Sequence, residues 1–177
     1  MTAASQRFGI PESWIRAVIL AESGGRPVID GLPVTSKAGA MGLMQLMPGT
    51  WTEMQQRYSL GADPYDPAAN ILAGTAYLSE LWRRFGFPAL FAAYNAGPDR
   101  YEGHLETGVP LPDETVFYLK SIEMEGVQVA GIPSNQAQNA MPFSSPNVAT
   151  SPLFFTSTAS RADSLFVLLR SQTGSGR

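Results

Sequence analysis

The stretch PESWIRAVILAESGGRP, residues 11–27, decides how the rest of the chain is read, because its pattern predicts one amphipathic helix. Pro11 suits a first helical turn, where a missing N–H costs nothing, and Gly24 and Gly25 supply the backbone freedom with which a helix stops. Ile15, Val18 and Ile19 recur at helical spacing, and Glu22 continues their row at i+3 from Ile19 and i+4 from Val18. A carboxylate in an apolar row loses hydration, and in the last helical turn it also meets the negative end of the helix dipole. Both effects raise its pKa, which is what a general acid needs near neutral pH. The plainer alternative is a solvated helix-end glutamate paired with Arg26, four residues on.

The remainder of the 177-residue chain is long enough to enclose such a group within one domain and leave a tail. A hydrophobic share of 44% with 15% charged residues reads as globular, and no apolar run reaches bilayer-spanning length. A net charge of -3, with no cluster of Lys and Arg, excludes a nucleic-acid surface. The absence of cysteine excludes disulfides, thiolate zinc sites and thiol nucleophiles, and leaves the redox compartment open. The start, MTAASQRFGIPESW, has no basic segment followed by an apolar one, so no secretory signal is read there.

Outward from the first helix, residues 24–49 are punctuated by Gly and Pro and predict irregular structure. Within them Gly39 and Gly42 permit the close backbone approach a substrate groove needs, and Met44, Leu46 and Met47 are too apolar for a freely solvated loop. A short helix is expected over 50–58. Asp66 and Pro67 read as N-cap and first residue of a helix to Phe85, with Ile71, Gly74, Leu78, Trp82 and Phe85 along one face and Gly74 admitting a close neighbour. Gly86-Phe87-Pro88 breaks it and opens PALFAAYNAG, ended by Gly97 and Pro98, with Tyr94 and Asn95 in its last turn. Asn95 is either a C-capping residue or a hydrogen-bonding partner for a ligand such as a sugar hydroxyl or acetamido group.

Residues 101–112 read as polar and turn-rich, and the single histidine there, His104, has no second metal ligand at suitable spacing. Asp113 is expected to cap a last helix, DETVFYLKSIEME, with Val116, Leu119 and Ile122 inward and Tyr118 facing either way. From Val127 on, the chain turns rich in Ser, Asn, Gln and Pro and is expected to be a flexible extension, 127–177, with an apolar end, ADSLFVLLR, suited to a short helix near 162–170. Nine of the twelve basic and fourteen of the fifteen acidic residues lie in 1–126, so the acidity belongs to the domain.

Four segments taken in order give the chain a resemblance: AESGGRP around Glu22, GAMGLMQLMPGTW at 39–51, NILAGTAYL at 70–78 with AAYNAGP at 92–98, and ETVFYLKSI at 114–122. Together they resemble the lytic transglycosylase domain of the soluble lytic transglycosylase type, including relatives encoded with conjugation and type IV secretion systems. The resemblance covers about residues 8–125 and implies a mainly α, lysozyme-like (goose-type) fold with a groove for a peptidoglycan strand. It implies that Glu22 is the one catalytic carboxylate, protonating the glycosidic oxygen and then deprotonating the muramyl O6 hydroxyl to leave a 1,6-anhydromuramyl end. A two-carboxylate glycosidase would need a second acid in a comparable setting, whereas Asp30, Asp63 and Asp66 stand in loops or at a helix start.

By motif position, the resemblance implies that Ser23 orients the glutamate or the substrate and that Met44 and Gln45 line the groove, with Gln45 bonding to sugar. It implies that Tyr94 and Asn95 bind the muramyl region and that Tyr118 hydrogen-bonds Glu22. Packing or capping is the alternative for each. No cofactor or metal is implied. The implied partner is the peptidoglycan strand, which places the protein in the periplasm or cell envelope, and the tail is a candidate contact for secretion or conjugation components. A water-using lysozyme-like hydrolase and a non-catalytic glycan-binding or assembly module are the competing readings.

Overall fold

Two punctuated helices set the frame of the computed structural model, which describes residues 1–128. Asp66 caps the first of them as read from sequence: its carboxylate accepts from the Ala69 N–H at 2.8 Å, and Pro67 takes the first helical position. The helix opened there, α4 (Pro67–Phe85), is the longest among the described residues, and Gly86 closes it. Around it the chain order is α1 (Thr2–Phe8), α2 (Glu12–Ser23), β1 (Val28–Ile29), β2 (Leu32–Pro33), α3 (Pro48–Tyr58), α4, α5 (Ala89–Ala96), α6 (Pro98–Thr107) and α7 (Asp113–Met124). The described fold is therefore mainly helical. The helix expected near 162–170 lies outside the described residues.

Helix α4 packs against α1, α3 and α5, while α5 also touches α6 and α7, and α2 lies on α7. Helix α5 is apolar nearly all round, and Leu90, Phe91, Ala92 and Ala93 are fully buried, as an all-apolar helix must be. Trp14 of α2 closes one side of this core, stacked on Phe87 at 4.9 Å and edge-on to Trp82 and Phe91. Helix α2 stops because Gly24 is left-handed (φ 62°): its N–H bonds to the Leu20 carbonyl at 3.0 Å and that of Gly25 to Ile19 at 3.4 Å. Pro11 stands just before this helix instead of inside its first turn.

Three expectations need correction. Residues 98–107 form α6 where a turn-rich segment was expected, so Gly97-Pro98 starts a helix as well as ending one; a single buried aromatic, Tyr101 against the Phe85 ring at 5.1 Å, holds its otherwise polar surface to the core. In α7 the inward row is Thr115, Tyr118 and Ile122, and Val116 is 42% exposed, because the helix meets α2 and α5 one position round from the row expected. Asp113 makes no capping bond and is the first helical residue, with Pro112 before it. Helix α1 was not anticipated; Ala4 and Phe8 bury it against the domain.

Candidate active site

The site is built on the end of α2. Its last two residues, Glu22 and Ser23, arrive where the irregular segment 41–46 crosses α4 and α5, and α7 closes the other side. Segment 41–46 is a tight loop: Met41 and Leu46 exchange backbone bonds of 2.9 and 3.1 Å, and both Gly42 (φ 72°) and Gln45 (φ 46°) take left-handed backbone conformations. Left-handed backbone is uncommon for a residue with a side chain and is held only when the surroundings over-determine it.

Three helices over-determine this loop. From α2, Ser23 Oγ donates to the Leu43 carbonyl at 2.8 Å. From α4, the fully buried Asn70 spends its whole amide: Oδ1 accepts from the Met44 N–H at 2.8 Å, and Nδ2 donates to the carbonyls of Met41 (3.0 Å) and Pro64 (2.8 Å). From α5, the Tyr94 hydroxyl donates to the Met44 carbonyl at 2.7 Å. The backbone of Met44 is thus satisfied on both sides by side chains, as burial requires.

The Met44 side chain does not line a groove. It is fully buried against Gly74 of α4, where a Cβ would stand 2.4 Å from its sulfur, so the glycine is what admits it. This corrects the expectation for Met44 and bears out the one for Gly74. Gln45, the next residue, is half-buried and turns its amide nitrogen to the Gly42 carbonyl at 2.7 Å. Its donors face the loop, so Oε1 is the atom Gln45 can offer a ligand. Asn95 is half-buried beside Tyr94, and the helix is ended by Gly97, which removes the capping alternative for Asn95.

The electrostatics single out Glu22. Burial pushes its carboxyl from the ordinary 4.5 up to about 8; the neighbouring Tyr118 hydroxyl pulls the other way, and the charge of Glu114 adds to the rise. Tyr118, fully buried on α7, and Tyr94 both have hydroxyls held well above the ordinary tyrosine range, first by burial and then by the Glu22 charge. They are neutral donors at any working pH. The ion pair with Arg26 does not form: α2 ends at Ser23, so Arg26 is off the helix, and the charge that acts on Glu22 is that of Glu114.

The structure therefore brings together Glu22, Ser23, the backbone of Met44, Tyr94 and Tyr118, with Gln45 next along the chain from Met44 and Asn95 next from Tyr94. It adds two residues that the sequence reading passed over. Glu114 lies four positions before Tyr118, on the same face of α7, and that spacing was the available signal. Asn70 carried no such signal, since a buried amide looks like any other polar helical residue until its partners are known. Among the described residues no cluster of His, Asp and Glu suits a metal ion, and no helix is long and apolar enough to cross a membrane.

Comparison with known proteins adds a family. The model described as Transglycosylase SLT domain matches residues 1–107, which takes in Glu22, Met44 and Tyr94 and stops before α7. Soluble lytic murein transglycosylase of Escherichia coli K12 is 38% identical over 115 residues, covering 61% of this chain and 17% of the relative. The protein named Transglycosylase of Enterobacteria phage PRD1 is 38% identical over 100 residues, 55% of this chain and 34% of the phage protein. Among solved structures, an inactive mutant of lytic transglycosylase Slt from Pseudomonas aeruginosa superposes with a TM-score of 0.55 at 30% identity, over 70% of this chain and 21% of that one. The 70 kDa soluble lytic transglycosylase of E. coli gives 0.50 at 32% identity, over 71% and 22%. The fold is thus lysozyme-like, and this chain spans about a fifth of the length of these larger relatives.

Proposed function

Because the chain belongs to the transglycosylase SLT domain family, we propose that it is a peptidoglycan lytic transglycosylase, a lyase that breaks the bond from N-acetylmuramic acid to N-acetylglucosamine without water. The observation that supports this reading most is Glu22, half-buried at the end of α2 with its pKa raised to about 8. It is protonated at neutral pH, as a general acid must be. Glu22 gives its proton to the glycosidic oxygen as the bond to the muramyl anomeric carbon breaks. The resulting carboxylate, hydrogen-bonded by Tyr118, takes the proton of the muramyl O6 hydroxyl, whose oxygen bonds to the same carbon. The proton lent is returned, and a 1,6-anhydro end is left. Gln45 Oε1 and Asn95 hold the sugar, and Ser23, Asn70 and Tyr94 keep the loop that presents Gln45 in place.

Glu114 is the one observation that favours a hydrolytic rival, since it supplies a second carboxylate within electrostatic reach of Glu22. Mass spectrometry of digested sacculi separates the two. Anhydromuramyl ends are expected, and reducing muramyl ends alone would overturn the proposal. The location that follows from this substrate is the periplasm or cell envelope, with residues 127–177 as the candidate contact to secretion or conjugation components.

A further inference from the structure

We propose that the outer face of α7 is a docking surface for a segment of this same chain, residues 161–170, RADSLFVLLR. Helix α7 turns Thr115, Tyr118 and Ile122 inward to α2 and α5, which leaves Val116, Phe117, Lys120 and Met124 on its outer side. Phe117 is 64% exposed and Met124 85%. One exposed apolar side chain needs no explanation, but three in a row along a helix make a patch, and such a patch marks a contact surface. The Lys120 ammonium stands 5.5 Å from the centre of the Phe117 ring, so the cation in the row shields part of the patch without covering it.

The size of the patch selects a tethered occupant. Three side chains fall well short of the about 800 Å² per partner that a stable complex of separate molecules buries. A tethered segment needs far less, because the tether supplies an effective concentration in the millimolar range. The chain itself provides the tether. It leaves α7 through Gly126, whose left-handed backbone (φ 83°) turns it, and Val127 is buried again in the domain. The 32 residues from 129 to 160 can extend to about 100 Å, whereas the twelve residues of α7 make about 18 Å, so residues 161–170 reach any point of the helix.

Residues 161–170 match this surface in pattern and in charge. Leu165 to Leu169 form an apolar run, and at helical spacing Leu165, Leu168 and Leu169 share one side. Arg161 and Arg170 flank the run, as Asp113 and Glu123 flank the apolar row of α7. Laid antiparallel to α7, the segment brings Arg161 level with Glu123, Asp163 with Lys120 and Arg170 with Asp113, while its leucines meet Phe117 and Met124. The net charges have the same sense. Residues 1–126 hold nine basic and fourteen acidic groups, and residues 127–177 hold three and one.

The docking is independent of the cleavage chemistry and is tested without substrate. Because the chain has no cysteine, Ser171→Cys places a single thiol directly after the segment for a nitroxide label, read as broadening of amide signals in the dilute full chain. At a millimolar effective concentration even a contact of millimolar affinity is about half populated, so signals from 116–124 are expected to fall about twofold or more, with those of α3 unaltered. Leu165→Asp with Leu169→Asp in the same labelled chain is expected to restore them. Phe117→Ser removes the receiving ring, which is mostly exposed and outside the core, and is expected to do the same. Signals of α7 that stay sharp overturn the proposal, and so does broadening that neither variant relieves, since a tether alone would give it. Isotope-labelled chain mixed with nitroxide-labelled, isotope-free chain reads the alternative occupant. Equal broadening in that mixture makes the occupant a second copy and overturns docking within one chain.

Discussion

The Tyr94 hydroxyl and the Met44 carbonyl, 2.7 Å apart, join the last turn of α5 to the loop that carries Gln45. Both groups are buried, so neither has water as a substitute partner. Tyr94→Phe keeps the ring and removes the donor. It is expected to cost about 1–3 kcal/mol, the desolvation of a carbonyl left unpaired, with a fall in turnover as Gln45 loses its setting. Thermal denaturation and an assay on sacculi measure both; unchanged stability would mean the bond contributes nothing.

The raised pKa of Glu22 fixes the sign of two pH effects. As an acid, Glu22 works in its protonated form, so activity is expected below about pH 8 and should fall above it. For stability the unfolded chain releases this proton near 4.5 while the folded chain holds it to about 8, so stability declines as pH rises between those values. Glu22→Gln removes the ionisation. Its melting temperature should exceed the parent's by more at pH 8 than at pH 5, and it should show no turnover.

Glu114 pushes the Glu22 pKa up through like charge. Glu114→Gln is expected to lower the pKa of Glu22 and to shift the alkaline limb of the pH–activity profile towards acid. A profile with the parent's alkaline limb would show that Glu114 does not tune the acid.

Two glycines hold the site by having no side chain. At Gly42 a Cβ would stand 2.7 Å from the Pro64 carbonyl and 2.4 Å from Asn70 Nδ2, on a left-handed backbone (φ 72°). At Gly74 it would stand 2.4 Å from the Met44 sulfur and 2.8 Å from the Met44 Cβ, on an ordinary helical backbone. Gly42→Ala should therefore cost more than Gly74→Ala, which is expected in the usual overpacking range of about 1–3 kcal/mol. Gly49→Ala, with nothing within 4 Å, is the control. Chemical denaturation ranks the three, and an equal cost for Gly42 and Gly49 would contradict the packing described.

Local signals made much of this fold readable. Asp66-Pro67, Gly86 and Gly24 act within one helical turn of themselves, so capping chemistry located α2 and α4 without knowledge of any neighbour. Where an element depends on a distant partner the reading failed. Helix α6 is held by one aromatic against α4, and the face of α7 was chosen by its fit to α2 and α5.

The site divides in the same way. The sequence by itself determined that Glu22 continues an apolar helical row and so loses hydration, because helical periodicity is a local property. Only the tertiary structure decided that Tyr118 and Glu114 act on that carboxyl, that Met44 packs inward at Gly74, and that Asn70 commits its amide to the loop before Gln45. Those facts join residues tens of positions apart, and a side chain's partner across such a distance is set by how helices pack, which no single segment encodes.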